Sequence, residues 1–537
     1  MTNIHLSLKD VSLVLPDGRT LFSGLNDQFD VRPTGLVGRN GVGKSLLARI
    51  LAGLDQPTSG QSLCSGRVHY LAQHTGHDSG ATVADLAGIG HILDALTRIE
   101  LGGTQATDFE IVGEHWGIRQ QLQLELERCQ LGHLDAATPI GVLSGGEAMR
   151  VSLAGALLSD ADFLILDEPS NHLDRPSRQA LTEQLQRWRR GLLVISHDRP
   201  LLATMERIVE LTPNGLHSYG GNYSFYAEAK ALEQQNAKQK LEALKLERKR
   251  QDLAMRKQHE RAERRKARGN RQSKNANQAK ILLDRQKERS EVSAGALQKS
   301  FSASRAQLNK QVHIAAQQVN DDAHIALHDI PAPSMPKGYV VELEELQLPY
   351  VTGATGRINL ALSGEQRIGV LGPNGCGKST LLRVLSGQLS ALSGKCQVTT
   401  KVAYLDQQLR SLKANQTVLE QIKSANRFGC EGDLRMRLAQ LGLDEQTITV
   451  PSKVLSGGER LKAALACLIY ADTPPKLLLL DEPNNHLDLP SLQALEQMLR
   501  NYAGALVVVS HDDSFLDRLA LTGRLQATAR GSQLEAL

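Results

Sequence analysis

The sequence predicts an α/β protein: two copies of one parallel-sheet domain, joined by a long antiparallel α-helical hairpin. Three observations carry that prediction. Five short motifs occur twice in the same order. Each copy sets a glycine-rich loop between an apolar run and a helix-like stretch. A segment rich in Ala, Gln, Lys, Arg and Glu, with no proline between residues 227 and 330, separates the copies.

Composition bounds the rest. At ~150 residues per domain, 537 residues suggest three to four structural units. Hydrophobic residues at 41% and charged residues at 22% are those of a globular chain. Apolar runs such as Lys476–Asp481 fall far short of the ~18–20 residues that span a bilayer. Met1-Thr-Asn-Ile-His-Leu6 lacks the basic-then-apolar pattern of a secretory signal. Six cysteines without a CxxC pair read as reduced thiols rather than a disulfide frame or a zinc site. A cytoplasmic location and no membrane partner are expected.

The repeat is read motif by motif. Gly38-Arg-Asn-Gly-Val-Gly-Lys-Ser45 returns as Gly372-Pro-Asn-Gly-Cys-Gly-Lys-Ser379. Each follows an apolar run and opens a helix, the setting that a phosphate-binding loop requires. Gly38, Asn40, Gly41 and Gly43, with Gly372, Asn374, Gly375, Gly377 and Thr380 in the second copy, would line loops whose backbone N–H groups surround phosphates at a helix N-terminus. Lys44 and Lys378 would sit on the β/γ-phosphates, and Ser45 and Ser379 on Mg²⁺. Leu164-Ile-Leu-Asp-Glu168 and Leu478-Leu-Leu-Asp-Glu482 read as buried parallel strands ending in carboxylates, beyond which ligands bind. Asp167 and Asp481 would hold Mg²⁺ through water, while Glu168 and Glu482 orient and polarise the attacking water. An acidic cap after a core strand is the bland alternative, and the adjacent phosphate loops count against it.

Leu143-Ser-Gly-Gly-Glu147 and Leu455-Ser-Gly-Gly-Glu459 lie between phosphate loop and Asp-Glu strand, where they resemble the signature of ATP-binding-cassette ATPases. The resemblance implies two cassette domains of the P-loop NTPase fold with ATP sandwiched between them. Ser144, Gly145 and Gly146, and Ser456, Gly457 and Gly458, would then close over the γ-phosphate held by the other cassette. It also implies that Gln73 and Gln407 sense Mg²⁺ and water, that His197 and His511 contact the γ-phosphate, and that Tyr350 stacks on adenine in the second cassette. Leu15 or Phe22 are the corresponding candidates in the first.

The middle of the chain points to what the cassettes drive. Residues 227–335 hold 23 Lys/Arg against 13 Asp/Glu, a net of +10, which leaves −6 for the remainder of a chain whose total is +4. Lys245 to Arg289 alone carry +11. Apolar positions Leu297, Phe301, Leu308, Val312, Ala315 and Val319 have the spacing of a helix packed on a partner. Arg268–Asn277 is the expected turn. Helices of ~40 residues would reach ~60 Å. A solvated coiled-coil face balances its charges, whereas this one does not; Arg261, Arg264, Arg265, Lys266, Arg268, Arg271, Lys274 and Lys280 are therefore read as RNA-phosphate contacts. Phe301 is the only aromatic residue between 227 and 335, which disfavours a single-strand stacking platform.

Tandem cassettes with a charged linker and no membrane helices resemble the ABC-F family of translation factors. The domain reading is 1–226 for the first cassette, 227–336 for the linker and 337–537 for the second cassette. Gln73 to Leu143 spans 70 positions and Gln407 to Leu455 only 48, a surplus within about 84–128 that resembles this family's arm. The family implies a monomer whose two cassettes pair within the chain. It binds the ribosomal tRNA exit site with ATP, and its linker meets peptidyl-site tRNA and 23S rRNA. A short polar linker tip favours a housekeeping factor over an antibiotic-protection factor. A transporter's ATPase subunit and a DNA-repair ATPase are the remaining classes.

Overall fold

The computed structural model describes residues 4–72, 81–171, 173–275, 303–316, 338–351, 356–407, 409–485, 487–528 and 531–537. Packing divides the chain into two units: Met1–Tyr226 with Ile325–Leu537, and Ala227–His324. The first unit contains both repeats, and they fold alike.

Each repeat has a six-stranded sheet with the same strand order. In the first copy it runs Val68–Leu71, Phe163–Asp167, Gly191–Ile195, Thr34–Gly38, Arg207–Thr212, Gly215–Gly220. The second copy runs Val402–Leu405, Leu477–Asp481, Ala505–Val509, Arg367–Leu371, Gly523–Thr528, Gly531–Ala536. All neighbours pair in parallel except the last, which closes a hairpin. Phe163–Asp167 and Leu477–Asp481 are buried at every position, as unbroken apolar runs must be when helices cover both faces of a sheet. A three-stranded antiparallel sheet packs beside each core, with Leu6–Val14 between Thr20–Phe29 and Ser59–Cys64, and Tyr339–Gln347 between Arg357–Ser363 and Ser393–Val398. Leu6, Phe22, Phe29, Leu47, Phe163 and Ile195 join the two sheets of the first copy in one core.

The surplus of the first cassette is a helical pair. Thr82 and Thr417 cap matching helices with capping boxes, and each pairs with a matching proline, Pro139 or Pro451. Between them the first copy alone has Gly90–Glu100 followed by Ala106–Val112. Ala95, Leu96, Ile99 and Val112 pack these two helices together, and Arg98 Nη2 donates to the buried Asp108 Oδ1 at 2.7 Å. The insertion is therefore narrower than 84–128, because Ile118–Arg128 has its counterpart in Glu431–Gln440.

The helix Tyr223–Asn275 runs 53 residues, about 80 Å at ~1.5 Å per residue. It starts where Asn222 Oδ1 accepts the Phe225 N–H at 3.3 Å, and Tyr226 Oη donates to Glu210 Oε1 at 3.3 Å. The expected turn, Arg268–Asn277, is helical through Asn275, Gly269 and Asn270 included, and its last two residues lie outside the described residues. One glycine costs ~1 kcal/mol in a helix, too little to end one built from Ala, Arg, Lys and Gln. Within the second unit, Leu241 packs on Val312 and Ala315, while Arg305 Nε meets Asp252 Oδ1 at 3.3 Å. Higher numbers on one segment meet lower numbers on the other, so the helical stretch 303–316 runs antiparallel to the long helix. Leu308 is buried as expected, and Leu297, Phe301 and Val319 lie outside the described residues. No helix among the described residues is long and apolar enough to cross a membrane.

Candidate functional site

The two phosphate loops leave the carboxyl ends of Thr34–Gly38 and Arg367–Leu371 and run into the helices Lys44–Leu51 and Lys378–Leu385. Gly43 and Gly377 stand at the N-caps with φ of 101° and 96°. A Cβ there would come within 3.0 Å of Phe22 or 2.6 Å of Val351, so both conformation and space demand glycine. Lys44 Nζ donates to the carbonyls of Gly38 at 2.7 Å and Arg39 at 3.1 Å, which folds the loop around the ammonium. Lys378 Nζ does the same with Gly372 and Pro373, at 2.9 Å each. Burial lowers the pKa of Lys44, and Glu168, Asp488 and Asp167 work against that shift.

The Asp-Glu strands end beside these loops. Ser379 Oγ donates to Asp481 Oδ1 at 3.0 Å, and Tyr404 Oη to Oδ2 at 3.1 Å. Tyr70 Oη donates to Asp167 Oδ2 at 3.2 Å. Burial raises the pKa of both aspartates against these hydroxyls. Glu168 and Glu482 take left-handed backbone, φ 52° and 49°, and their N–H groups donate to the carbonyls of Ile195 at 2.9 Å and Val509 at 3.0 Å. A non-glycine residue held there stores strain of ~1–3 kcal/mol. Each carboxyl is 3.4 Å from its histidine's Nε2, Glu168 with His197 and Glu482 with His511. Both Glu482 oxygens and both His197 ring nitrogens are buried without a hydrogen-bond partner. Burial pushes Glu482 up to about 7 and His511 down to about 4; it moves Glu168 and His197 the same ways.

Ser144 and Ser456 cap the helices Gly145–Leu158 and Gly457–Ile469, with Gly146 and Gly458 buried in their first turns. In each case the following glutamate completes a capping box: Ser144 N–H donates to Glu147 Oε2 at 2.8 Å and Ser456 N–H to Glu459 Oε2 at 2.9 Å. The last residue of the signature thus belongs to a helix-start cap that holds the turn.

The cassettes meet head to tail. Asn40 N–H, in the first phosphate loop, donates to Asp488 Oδ2 of the second cassette at 2.8 Å. Asn374 N–H faces Asp174 Oδ2 of the first at 3.4 Å. Both aspartates are helix caps whose second oxygen serves Ser491 or Ser177. Burial works against their charge, yet those hydrogen bonds hold both carboxyls below the usual range. Burial lowers the pKa of Lys462, on the second signature helix; Asp488 and Glu459 work against that shift and Arg39 of the first phosphate loop adds to it. Glu168, His197, Asn484, Asn485 and Asp512 line one cavity across this seam.

The sequence alone assigns no role to Asp174 and Asp488. The repeated Asn-His-Leu-Asp is the available signal, but its meaning lies in a contact across 448 positions. The Tyr70 and Tyr404 hydroxyls escape a sequence reading likewise. Tyr350 is exposed, at φ 64°, on the approach to the second loop, while Phe22 is fully buried against Gly43 and has no face for a ring to stack on. Gln407 is exposed in a turn, and Gln73 lies outside the described residues. Arg261 and Arg264 are exposed on the long helix; Arg265, Lys266, Arg268, Arg271 and Lys274 follow on its backbone, and Lys280 lies outside the described residues.

The site fits a magnesium-bound triphosphate. A caged lysine, a hydroxyl on a buried aspartate, and a buried glutamate carboxyl converge at a helix N-terminus, twice, and in the second site both glutamate oxygens are unused. Comparison with known proteins agrees. The sequence model of the ABC transporter family matches residues 30–171 and 355–485. The energy-dependent translational throttle protein EttA of Mycobacterium tuberculosis is 33% identical over 511 residues, 90% of this chain and 84% of that one. The tylosin resistance ATP-binding protein TlrC of Streptomyces fradiae is 32% identical over 542 residues, 93% of this chain and 91% of that one. Among solved structures, the archaeal ribosome recycling factor aABCE1, in complex with the stalk protein aP1, matches with a TM-score of 0.57 at 18% identity, covering 98% of this chain and 90% of that one.

Proposed function

The chain belongs to the ABC-F family of tandem ATP-binding-cassette ATPases, and we propose that it is a cytoplasmic translation factor that uses ATP to engage the ribosome. It binds the tRNA exit site as a monomer with its own two cassettes paired, and its linker acts on peptidyl-site tRNA and 23S rRNA near the peptidyl-transferase centre. The observation that carries this reading is the unbalanced charge of the linker, +11 over Lys245–Arg289, of which +9 falls within Lys245–Asn275 on a continuous helix that starts where the first cassette ends. Two relatives named for translational throttling and for tylosin resistance support it.

The residues divide the chemistry as follows. Lys44 and Lys378, with the loop N–H groups, bind the β/γ-phosphates. Ser45, Asp167 and Gln73, and Ser379, Asp481 and Gln407, would hold Mg²⁺, which neutralises charge developing on the phosphates. Glu168 and Glu482 take up the proton of the attacking water, and burial makes them strong enough bases to do so. His197 and His511, kept neutral by burial, donate one ring N–H toward the γ-phosphate. Asp488 and Asp174 hold the opposing loops in register, so that each signature turn, Ser456–Gly458 or Ser144–Gly146, closes the site built on the other cassette. Tyr350 offers a face to adenine in the second site. ATP binding favours closure, closure favours the ribosome-bound form, and hydrolysis releases it.

Glu168→Gln with Glu482→Gln should bind ATP, fail to hydrolyse it and co-sediment stably with ribosomes. A variant that binds ATP but pellets with membranes or DNA and not with ribosomes would overturn the reading. The full-length likeness to the resistance protein favours one second reading, protection of ribosomes from a drug. Restored translation in a tylosin-inhibited extract on addition of the wild-type protein would establish it.

A further inference from the structure

The two seams between the cassettes are related by the internal repeat, yet they are fastened differently. From Asp167 to Leu202 every position has its counterpart between Asp481 and Leu516. At the first ATP site Arg199, two residues past His197, donates from Nη1 to Glu496 Oε1 at 2.6 Å and from Nη2 to Oε2 at 3.4 Å. Their side chains are 4% and 7% exposed. Arg518 brings a second guanidinium to Glu496 Oε2 at 3.4 Å. Glu496 lies on the helix Leu489–Asn501, whose cap, Asp488, accepts the Asn40 N–H of the first phosphate loop. The pair therefore fastens the segment that carries His197 to the helix that closes on the same site.

At the second site the counterpart of Arg199 is Asp513, and that of Glu496 is Thr182. Neither can form this pair. Asp513 instead meets Arg175 Nε at 2.9 Å, with the arginine side chain 65% exposed. The cap contact there is also longer, 3.4 Å from Asp174 to Asn374 against 2.8 Å from Asp488 to Asn40. An exposed pair contributes little, whereas separating a buried, hydrogen-bonded one leaves a charge stranded without water or partner.

We propose that Arg199 and Glu496 are positioning residues that make the two ATP sites non-equivalent, holding the first closed while the second opens and exchanges nucleotide freely. The proposal rests on the cassette chemistry alone. Its test needs no ribosome, so its failure is separate from failure of the translational reading.

The test follows exchange of mant-ATP from the Glu168→Gln/Glu482→Gln protein, in which hydrolysis does not intervene. Two phases are expected, and Lys44→Ala should remove the slow one. Arg199→Ala should speed the slow phase about tenfold and leave the fast one alone; Arg518, still on Glu496, limits the effect. Glu496→Gln should do the same, and the two changes together should add little to either, since they remove one interaction. A gain-of-function pair, Thr182→Glu with Asp513→Arg, should slow the fast phase toward the slow one and stands independently of whether Arg199→Ala folds well. A single exchange phase, or Arg199→Ala speeding both phases alike, would overturn the proposal.

Discussion

At the scale of single residues, Glu482 shows how function and stability oppose one another. Its backbone is left-handed, its carboxyl is buried, neither oxygen has a hydrogen-bond partner, and burial pushes its pKa up to about 7. Removing the charge should stabilise the resting protein while removing the base. Glu482→Gln is expected to raise the unfolding free energy of the nucleotide-free protein by about 1 kcal/mol and to cut second-site turnover at least ~100-fold. Urea denaturation and phosphate release measure the two effects, and a loss of stability would contradict the account. The phosphate loops and the Asp-Glu strands can be read from the sequence because phosphate contact imposes residue type and spacing within eight positions. The left-handed turn at Glu168 and Glu482 cannot. No local preference favours it, and a bond to the neighbouring strand, to Ile195 O or Val509 O, holds it. Asp488 is similar, since its partner Asn40 is remote in sequence.

At the scale of elements, the capping boxes and the arm carry the clearest consequences. Glu459→Ala removes the acceptor for Ser456 N–H and frays the first turn of the second signature helix. A cost of about 1 kcal/mol is expected, with weaker ATP affinity at the first site, read by isothermal calorimetry on the protein carrying Lys378→Ala. In the arm, the Arg98 guanidinium holds the Asp108 carboxyl below its usual 3.8. A depressed carboxyl stabilises above its unfolded pKa, and that contribution is lost as pH falls through the folded one. Trp116, 6.1 Å from Phe109 between ring centroids, reports on the arm once Trp188→Phe removes the chain's other tryptophan. Its emission should hold steady from pH 8 to 5 and change below pH 4, whereas Asp108→Asn should show the altered signal already at pH 7. The arm's presence is legible as surplus length, but its limits are not. Its flanking helices look like the insertion until the second cassette shows their counterparts. The linker turn signal at Gly269-Asn270 misleads for the opposite reason: it is a turn signal in isolation, and the long run of helix formers around it overrides that signal through Asn275.

At the scale of the whole molecule, the distribution of charge matters more than its sum. A net of +4 conceals +10 in residues 227–335 against −6 elsewhere. Like charges at this density repel along a helix, and a chain bears that cost readily when a polyanion supplies the counter-charge. Arg261 and Arg264 are exposed on the helix, and the basic run continues along it to Lys274. Binding through such residues releases counterions from the nucleic acid, so affinity must fall with salt at a slope set by the number of phosphates neutralised. Replacing Arg261, Arg264, Arg265 and Lys266 with glutamine should weaken ribosome binding most at low salt. The log–log slope should flatten by about 0.7–0.9 for each phosphate that is no longer neutralised. ATP affinity at both sites should stay as in the parent, because none of the four residues belongs to the cassettes. Titrating Glu168→Gln/Glu482→Gln protein with and without these changes against ribosomes, from about 50 to 300 mM salt, measures the slope directly. An unchanged slope with lower affinity would place the linker's contribution in its shape and apolar surface rather than in its charge.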